Sequence, residues 1–426
     1  MREIKLAFVD EIIYYDETDE GMPIYLWVNE KINNFYMTLN VKYGSVDTEF
    51  KLSGEKKNTI VPNGIAHFLE HISFNEEDGF SAFDYFKQFG SSINAFTSFD
   101  ITAYEVIGSS HFNENLNHLL DYVMTPCIKK RDVEKEKGII IEEISMGDNQ
   151  PARKMFFGAY EALFHKNKRR VSIAGDVDSV TKTSVNDLEL VYNNFYHPKN
   201  MFVVVTGNFN PYEASAIIKE NLANKEFREY KNPIRKKVRE PLEVKEKEKI
   251  IEANIEIPKL QISLKISRKK FNEKDDLLLR IYLSIILKTN FGYTSDLREE
   301  LMSKELVSDF NVSREIIGDF VIISVIAETK YLKEVEKKIV DKLSCLEISE
   351  ETLERRKKSN IANMVLGYDS IESVNAVIQD WIMEYGEIID NLYGVYKNVS
   401  LKKLLETIDV IDTTNMSIIK LVASDK

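Results

Sequence analysis

Two histidines and a glutamate fall within five residues in the run Gly64-Ile65-Ala66-His67-Phe68-Leu69-Glu70-His71. Apolar Ile65, Phe68, Leu69 and Ile72 recur at spacings of three and four, which predicts a helix over residues 64–74. On a helix, residues four apart lie one turn apart on the same face, so His67 and His71 can aim both imidazoles at one ion. Glu70 adjoins His71 and lies about one turn from His67, so its carboxylate can reach a water on that ion. Zinc held by three protein groups keeps a fourth position for water and lowers that water's pKa toward neutrality; a carboxylate is then needed to take and relay the proton. The chemistry these residue types point to is metal-assisted hydrolysis. A solvated surface helix could carry the same letters, and a third ligand is what separates the two readings.

A second predicted helix, residues 132–146, offers candidates. Glu136 and Glu143 are seven residues apart, two helical turns, and so lie on nearly the same face. One could bind the metal while the other orients a ligand from behind, as zinc sites commonly need. Equally, with Glu134 and Glu142, they could form a solvated acidic face. The other histidines read as solvated or capping: His111 and His118 stand in an Asn-rich helical stretch, and His165 precedes a basic turn.

These residues need elements to carry them. Residues 8–15, 23–29 and 35–43 are rich in Ile, Tyr, Val and Phe between turn formers and predict strands; residues 93–107 predict another. Ser81, Asp84 and Gly90 bracket a short helix with an aromatic face. Residues 225–249 are dominated by Lys, Arg and Glu, with Pro233 and Pro241, the composition of a linker. This predicts a first domain over 1–224 and a second over 250–426. Asn200-Met201 and Asn415-Met416 each open an apolar run after a helical stretch, residues 185–195 and 401–408, which suggests a duplicated α+β unit.

The 426 residues suffice for two or three cores, and the composition, 43% hydrophobic and 30% charged, is that of a soluble globular protein. A net charge of -12 argues against a nucleic-acid or anionic-membrane surface and is compatible with cationic or neutral peptide partners. No segment approaches 18 apolar residues and the amino terminus lacks an apolar leader, so neither a membrane span nor export is expected. Cys127 and Cys345 stand alone and read as packing residues in a reducing cytoplasm.

The motif resembles the inverted zinc signature H-x-x-E-H of the inverzincins, specifically the M16 peptidase family. Three further stretches agree in order and spacing. Asn94-Ala95-Phe96-Thr97 resembles the family's N-A-x-T edge strand, Glu136 to Ile144 its distal glutamate helix, and Tyr196-His197-Pro198-Lys199-Asn200-Met201 with Gly207 the segment closing its first domain. The resemblance covers about residues 40–210. It implies an α+β fold of two homologous M16-type domains forming half of a clam shell. It implies that His67, His71 and Glu143 hold one zinc per chain, that Glu70 is the catalytic base, and that Glu136 supports the site from behind. It further implies that Asn94, Ala95, Phe96 and Thr97 form an edge to which a peptide substrate adds as an extra strand.

One departure bears on partners. Family members that complete their own site usually carry a second-domain segment whose Arg and Tyr contact substrate. Here Met302 stands where that Arg belongs and Ser308 near the Tyr position, while Arg298 and Tyr293 are nearby at a different helical phase. The expectation is an endopeptidase for short or unfolded peptides, including leader-peptide processing. Its partner would be a non-identical M16-like subunit that lacks the zinc motif and supplies the Arg/Tyr pair. A peptide-holding, non-catalytic subunit is the alternative.

Overall fold

The computed structural model describes residues 1–76 and 81–424, which divide into two compact units. The first contains residues 1–144, 171–237 and 364–391; the second contains 145–170, 238–363 and 392–426. Each unit therefore includes a helix drawn from the other half of the sequence. The first division along the charged stretch falls after Lys237, and Ile234–Arg235 within it pairs with Glu49–Lys51 of the first unit. Arg235 also binds Asp47, which is 3% exposed, across 2.6 Å.

The first unit is built on a seven-stranded sheet. Its strands lie in the order Arg2–Lys5, Ile12–Glu17, Pro23–Val28, Met201–Gly207, Phe35–Val41, Thr102–Gly108 and Ser92–Thr97. Alternation along the central strands decides what each face holds. Phe35, Met37, Leu39 and Val41 join Met201, Val203 and Val205 in a core capped by helices that include Ile65–Ser73 and Phe112–Met124. Thr38 and Asn40 point the other way and are buried under helix Ile371–Glu384. There Asn375 Oδ1 accepts from Thr38 Oγ1 at 2.9 Å and from Gln379 Nε2 at 2.7 Å, while its Nδ2 donates to Val204 O at 3.2 Å.

The second unit repeats this plan in five strands: Glu248–Ala253, Met416–Ala423, Lys259–Ser267, Phe320–Glu328 and Asp309–Ile317. The first pair is parallel and the rest antiparallel, matching the last five strands of the first unit pair for pair. Leu260, Ile262, Leu264 and Ile266 face the core, whereas Gln261, Ser263 and Lys265 lie on the back face. Helix Pro151–Leu163 packs on this sheet, and the fully buried Lys265 donates to Leu163 O at 2.9 Å.

Two elements differ from the sequence expectation. Residues 93–107 form two strands, because the Ser98 hydroxyl accepts from the backbone of Asp100 and Ile101 and turns the chain into a hairpin. The strand expected over 8–15 begins only at Ile12: Leu6 N bonds Glu11 O, closing a turn in which Phe8 has φ 77. The short aromatic helix spans Ala82–Lys87. No described helix is long and apolar enough to cross a membrane.

Replacing Asn375 with Ala removes four polar contacts from a site of zero exposure and leaves buried groups without partners. The expected cost is about 2 to 3 kcal/mol. Urea denaturation should read that loss, with hydrogen exchange accelerating first in Phe35–Val41 and Ile371–Glu384.

Candidate metal centre

The helix Ile65–Ser73 is anchored from three directions. Phe68, Leu69 and Ile72 have no exposure, and burying each side chain is worth roughly 1.5 to 3 kcal/mol. Gly64 starts the helix at φ 82, and a Cβ there would lie 2.2 Å from the Ala174 carbonyl oxygen, so the entry accepts only glycine. At the other end Ser73 Oγ donates to Leu69 O at 2.8 Å and meets Tyr104 Oη at 3.0 Å, which in turn meets Tyr196 Oη at 2.8 Å. This buried hydroxyl chain ties the helix to the sheet and to the segment that opens with Tyr196. With its apolar side sunk, the helix turns His67 and His71 outward together, rings 4.6 Å apart.

The second helix, Lys130–Asp148, resolves the choice among its glutamates. Glu134 and Glu142 are exposed, while Glu136 and Glu143 turn toward the histidines. Glu143 Oε2 lies 3.6 Å from Nε2 of both His67 and His71. Glu136 Oε2 lies 3.3 Å from the other nitrogen of His71, Nδ1. The three ligand atoms of His67, His71 and Glu143 fall within 4.8 Å of one another. An ion held tetrahedrally at zinc-ligand bond lengths separates its ligands by roughly 3.4 Å, so these donors fit zinc in kind and spacing. This is the one such cluster among the described residues.

Glu70 is 7% exposed and held from the hairpin: Thr97 Oγ1 donates to its Oε2 at 2.5 Å. Burial pushes its pKa up against the lowering pull of Thr97 and His71. Burial would depress His71, but the hydrogen bonds to Glu136 and Glu143 overcome it and raise the imidazole to about 9. A site with this much negative charge holds a cation; without a metal, a proton on His71 serves.

Ser92–Thr97 is the last strand in its sheet, paired only with Thr102–Gly108 among the described residues, so its other edge is open. Ile93, Ala95 and Thr97 turn inward along it, whereas Asn94 and Phe96 are exposed. The link from Thr97 to Glu70 joins this edge to the metal cluster. Sequence spacing gives no sign of it, because the two residues are 27 positions apart. The buried role of Tyr104 was likewise hidden within an ordinary alternating strand.

Arg298 and Tyr293 are in contact, the guanidinium 4.3 Å from the ring centroid, and Arg298 also donates to Phe310 O. Met302 is 41% exposed on the same helix, Asp296–Ser303. The other histidines stay outside any metal cluster. His118 is not solvated: it stacks on Tyr85 at 3.5 Å and bonds Glu76 at 2.7 Å, in the aromatic patch beside helix Ala82–Lys87. His111 caps Phe112–Met124 through its backbone, and His165 N donates to Glu240.

The family model for insulinase, peptidase family M16, matches residues 53–176, and that for the peptidase M16 inactive domain matches residues 182–360. The zinc protease YmfH of Bacillus subtilis is 34% identical over 310 residues, 72% of each chain. The crystal structure of an M16-like peptidase from Alicyclobacillus acidocaldarius superposes with a TM-score of 0.91 at 26% identity, over 98% of this chain and 99% of that one. The periplasmic protease PqqL of Escherichia coli shares the fold with a TM-score of 0.77 at 17% identity, over 97% of this chain but only 48% of that one. Metal cluster, duplicated domains and these likenesses agree: the chain belongs to peptidase family M16.

Proposed function

We infer that this chain is the catalytic subunit of a zinc endopeptidase that cuts short or unfolded peptides. The observation that carries the reading is the shared reach of Glu143 Oε2 to Nε2 of His67 and of His71, with the buried Glu70 carboxylate beside them. His67, His71 and Glu143 would hold one zinc, which when bound supplies Lewis acidity and makes water nucleophilic near neutral pH. Glu136 takes the Nδ1 proton of His71 as its hydrogen-bond partner and so presents Nε2 to the metal.

The chain's own residues supply the rest. An extended peptide pairs its main chain with the open edge of Ser92–Thr97, with Asn94 and Ala95 positioning the backbone and little demand on side chains. Glu70 removes a proton from the attacking water as the new C–O bond forms, then delivers it to the amide nitrogen as the C–N bond breaks. Its raised pKa brings it closer to working pH, and Thr97 fixes its carboxylate. Trimming of a leader peptide is a narrower form of the same activity.

The partner is a non-identical M16-like subunit without the zinc motif, which provides the Arg/Tyr pair. Met302 and Ser308 leave that pair out of this chain, and Arg298 is already engaged by Tyr293 and Phe310. PqqL, about twice as long, has room for two such halves in one chain. The two free cysteines favour a reducing, cytoplasmic setting.

Glu70→Gln should keep about one zinc per chain by metal analysis yet lower kcat by at least a thousandfold in the presence of the partner. Retained activity would remove the mechanism, and full activity without a partner would remove the heterodimer. Zinc affinity of the chain, measured by chelator competition, should fall about tenfold per unit as pH drops from 8 to 6, because zinc must displace the proton that His71 binds below about 9. Thr97→Val deletes the bond that lowers Glu70, so the acid limb of kcat/KM should move to higher pH, and Thr97→Ser should restore it.

A further inference from the structure

His197 stands where the chain turns from helix Val185–Phe195 into strand Met201–Gly207, and both of its ring nitrogens are engaged. Lys199 N donates to Nδ1 at 3.2 Å, and the Arg228 carbonyl oxygen lies 3.2 Å from Nε2. A backbone N–H only donates and a carbonyl only accepts, so Nδ1 must be bare and Nε2 must carry the proton. The two bonds together hold the neutral imidazole in one tautomer. The ring is partly buried, stacked on Tyr230 with centroids 4.8 Å apart and meeting Phe227 edge-on at 5.8 Å.

Phe227, Arg228 and Tyr230 belong to one irregular stretch, residues 226–233, which leads from helix Pro211–Ala223 to the short strand Ile234–Arg235. Its ends are secured: Lys225 pairs with Asp121 at 2.5 Å, and Ile234 pairs with Lys51. Between those ends, the bond to His197 is the only hydrogen bond from the stretch to the rest of the first unit among the described residues. The remaining hold comes from the two ring contacts and from Phe227 against the core.

A second proton on the imidazole has one place to go, Nδ1, where it would set a donor against the Lys199 N–H. Burial disfavours the charged ring most; the Arg228 carbonyl favours it and the Lys199 ammonium opposes it, and the net effect holds the imidazole below its ordinary 6.5. Lys199 is the one charged side chain acting on the ring. The facing stretch presents only the Arg228 carbonyl and the Tyr230 phenol, whose own pKa is raised by burial. A histidine with a lower pKa folded than unfolded contributes stability above 6.5 and loses it as pH falls through the folded value.

We propose that His197 is an acid-sensitive latch on the way out of the first unit: neutral, it holds residues 226–233 in place, and protonated, it releases them. The ring swings out to hydrate the new proton at Nδ1, and the swing breaks both the bond to Arg228 and the stack on Tyr230. Strand Met201–Gly207 stays in place, because Asn200 N still donates to His197 O at 2.7 Å and Asn200 Nδ2 to Phe195 O at 2.9 Å. The released residues run toward the crossing into the second unit after Lys237, so acid loosens that connection while the metal ligands take no part.

The test uses the full chain and a glutamate-specific endoproteinase, which cuts after Glu226 and Glu229. Its rate at about pH 7.5 and about pH 5.5 is divided by its rate on a free peptide of residues 223–233. The ratio should rise roughly threefold or more in acid. His197→Asn keeps an oxygen for the Lys199 N–H but takes up no proton, so its ratio should be the same at both pH values. The unaltered chain supplies a second readout that needs no variant: the His197 ring signals and the Lys199 amide should titrate together by NMR, below pH 6.5. A ratio that does not rise, an equal rise in His197→Asn, or a His197 titration at or above 6.5 would each overturn the latch. Neither measurement depends on peptide hydrolysis by this chain, so the latch and the peptidase reading stand or fall separately.

Discussion

The buried Glu70 and Glu136 and the partly exposed Glu143 gather their carboxylates around one imidazole, His71, where water disperses the charge only on the Glu143 side. Like charges gathered at low dielectric repel, and the arrangement persists only if a cation stands among them. In the metal-free chain that cation is the proton on His71. The rest of the first unit can be read as the framework that keeps these groups from moving apart. Two helices far apart in sequence must present one face each, and neither can rotate without exposing apolar side chains or breaking the hydroxyl chain from Ser73 through Tyr104 to Tyr196.

The same constraint explains why the hairpin matters. Thr97 sits at the end of an open edge strand and spends its hydroxyl on Glu70. On the proposed reading, a peptide lying along that edge would be in register with Glu70, without any residue whose sole purpose is to recognise a side chain. One strand thus joins an open edge to the Glu70 carboxylate. The inward turn of Ala95 and Thr97 and the outward turn of Asn94 and Phe96 follow from the two-residue period of the backbone.

Much of this was legible in the residues. His67, Glu70 and His71 announce themselves because helical spacing is a strong geometric filter, and the distal helix was expected to within two residues at each end. Which of Glu136 and Glu143 faces which nitrogen was not legible from spacing, since that depends on the crossing of two helices. The hairpin at Ser98 was hidden because a serine turn interrupts a strand without Gly or Pro. His118 looked like a solvated histidine because nothing local shows that Tyr85 and Glu76 close over it. The exchanged helices were invisible for a related reason: local pattern predicts that Ile371–Glu384 is amphipathic but not on which sheet it rests.

The exchange itself follows from the back faces of the two sheets. A sheet face of apolar residues accepts any apolar helix, but Thr38 leaves a buried hydroxyl, and Val204 a buried carbonyl, that only partners such as Asn375 and Gln379 satisfy. In the second unit Lys265 sets a comparable demand, met by the end of helix Pro151–Leu163 and by Glu240. A wrongly placed helix would strand those groups without partners, at a cost of several kcal/mol. The sign of equivalence survives in detail: Asn200 and Asn415 each accept a backbone N–H through their carbonyls, from Lys42 and Lys265, while their side-chain amides hold neighbouring backbone. Yet from residue 198 onward the sequence contains no histidine. The duplicated framework is kept in both halves, and the histidine pair with its facing glutamates in one.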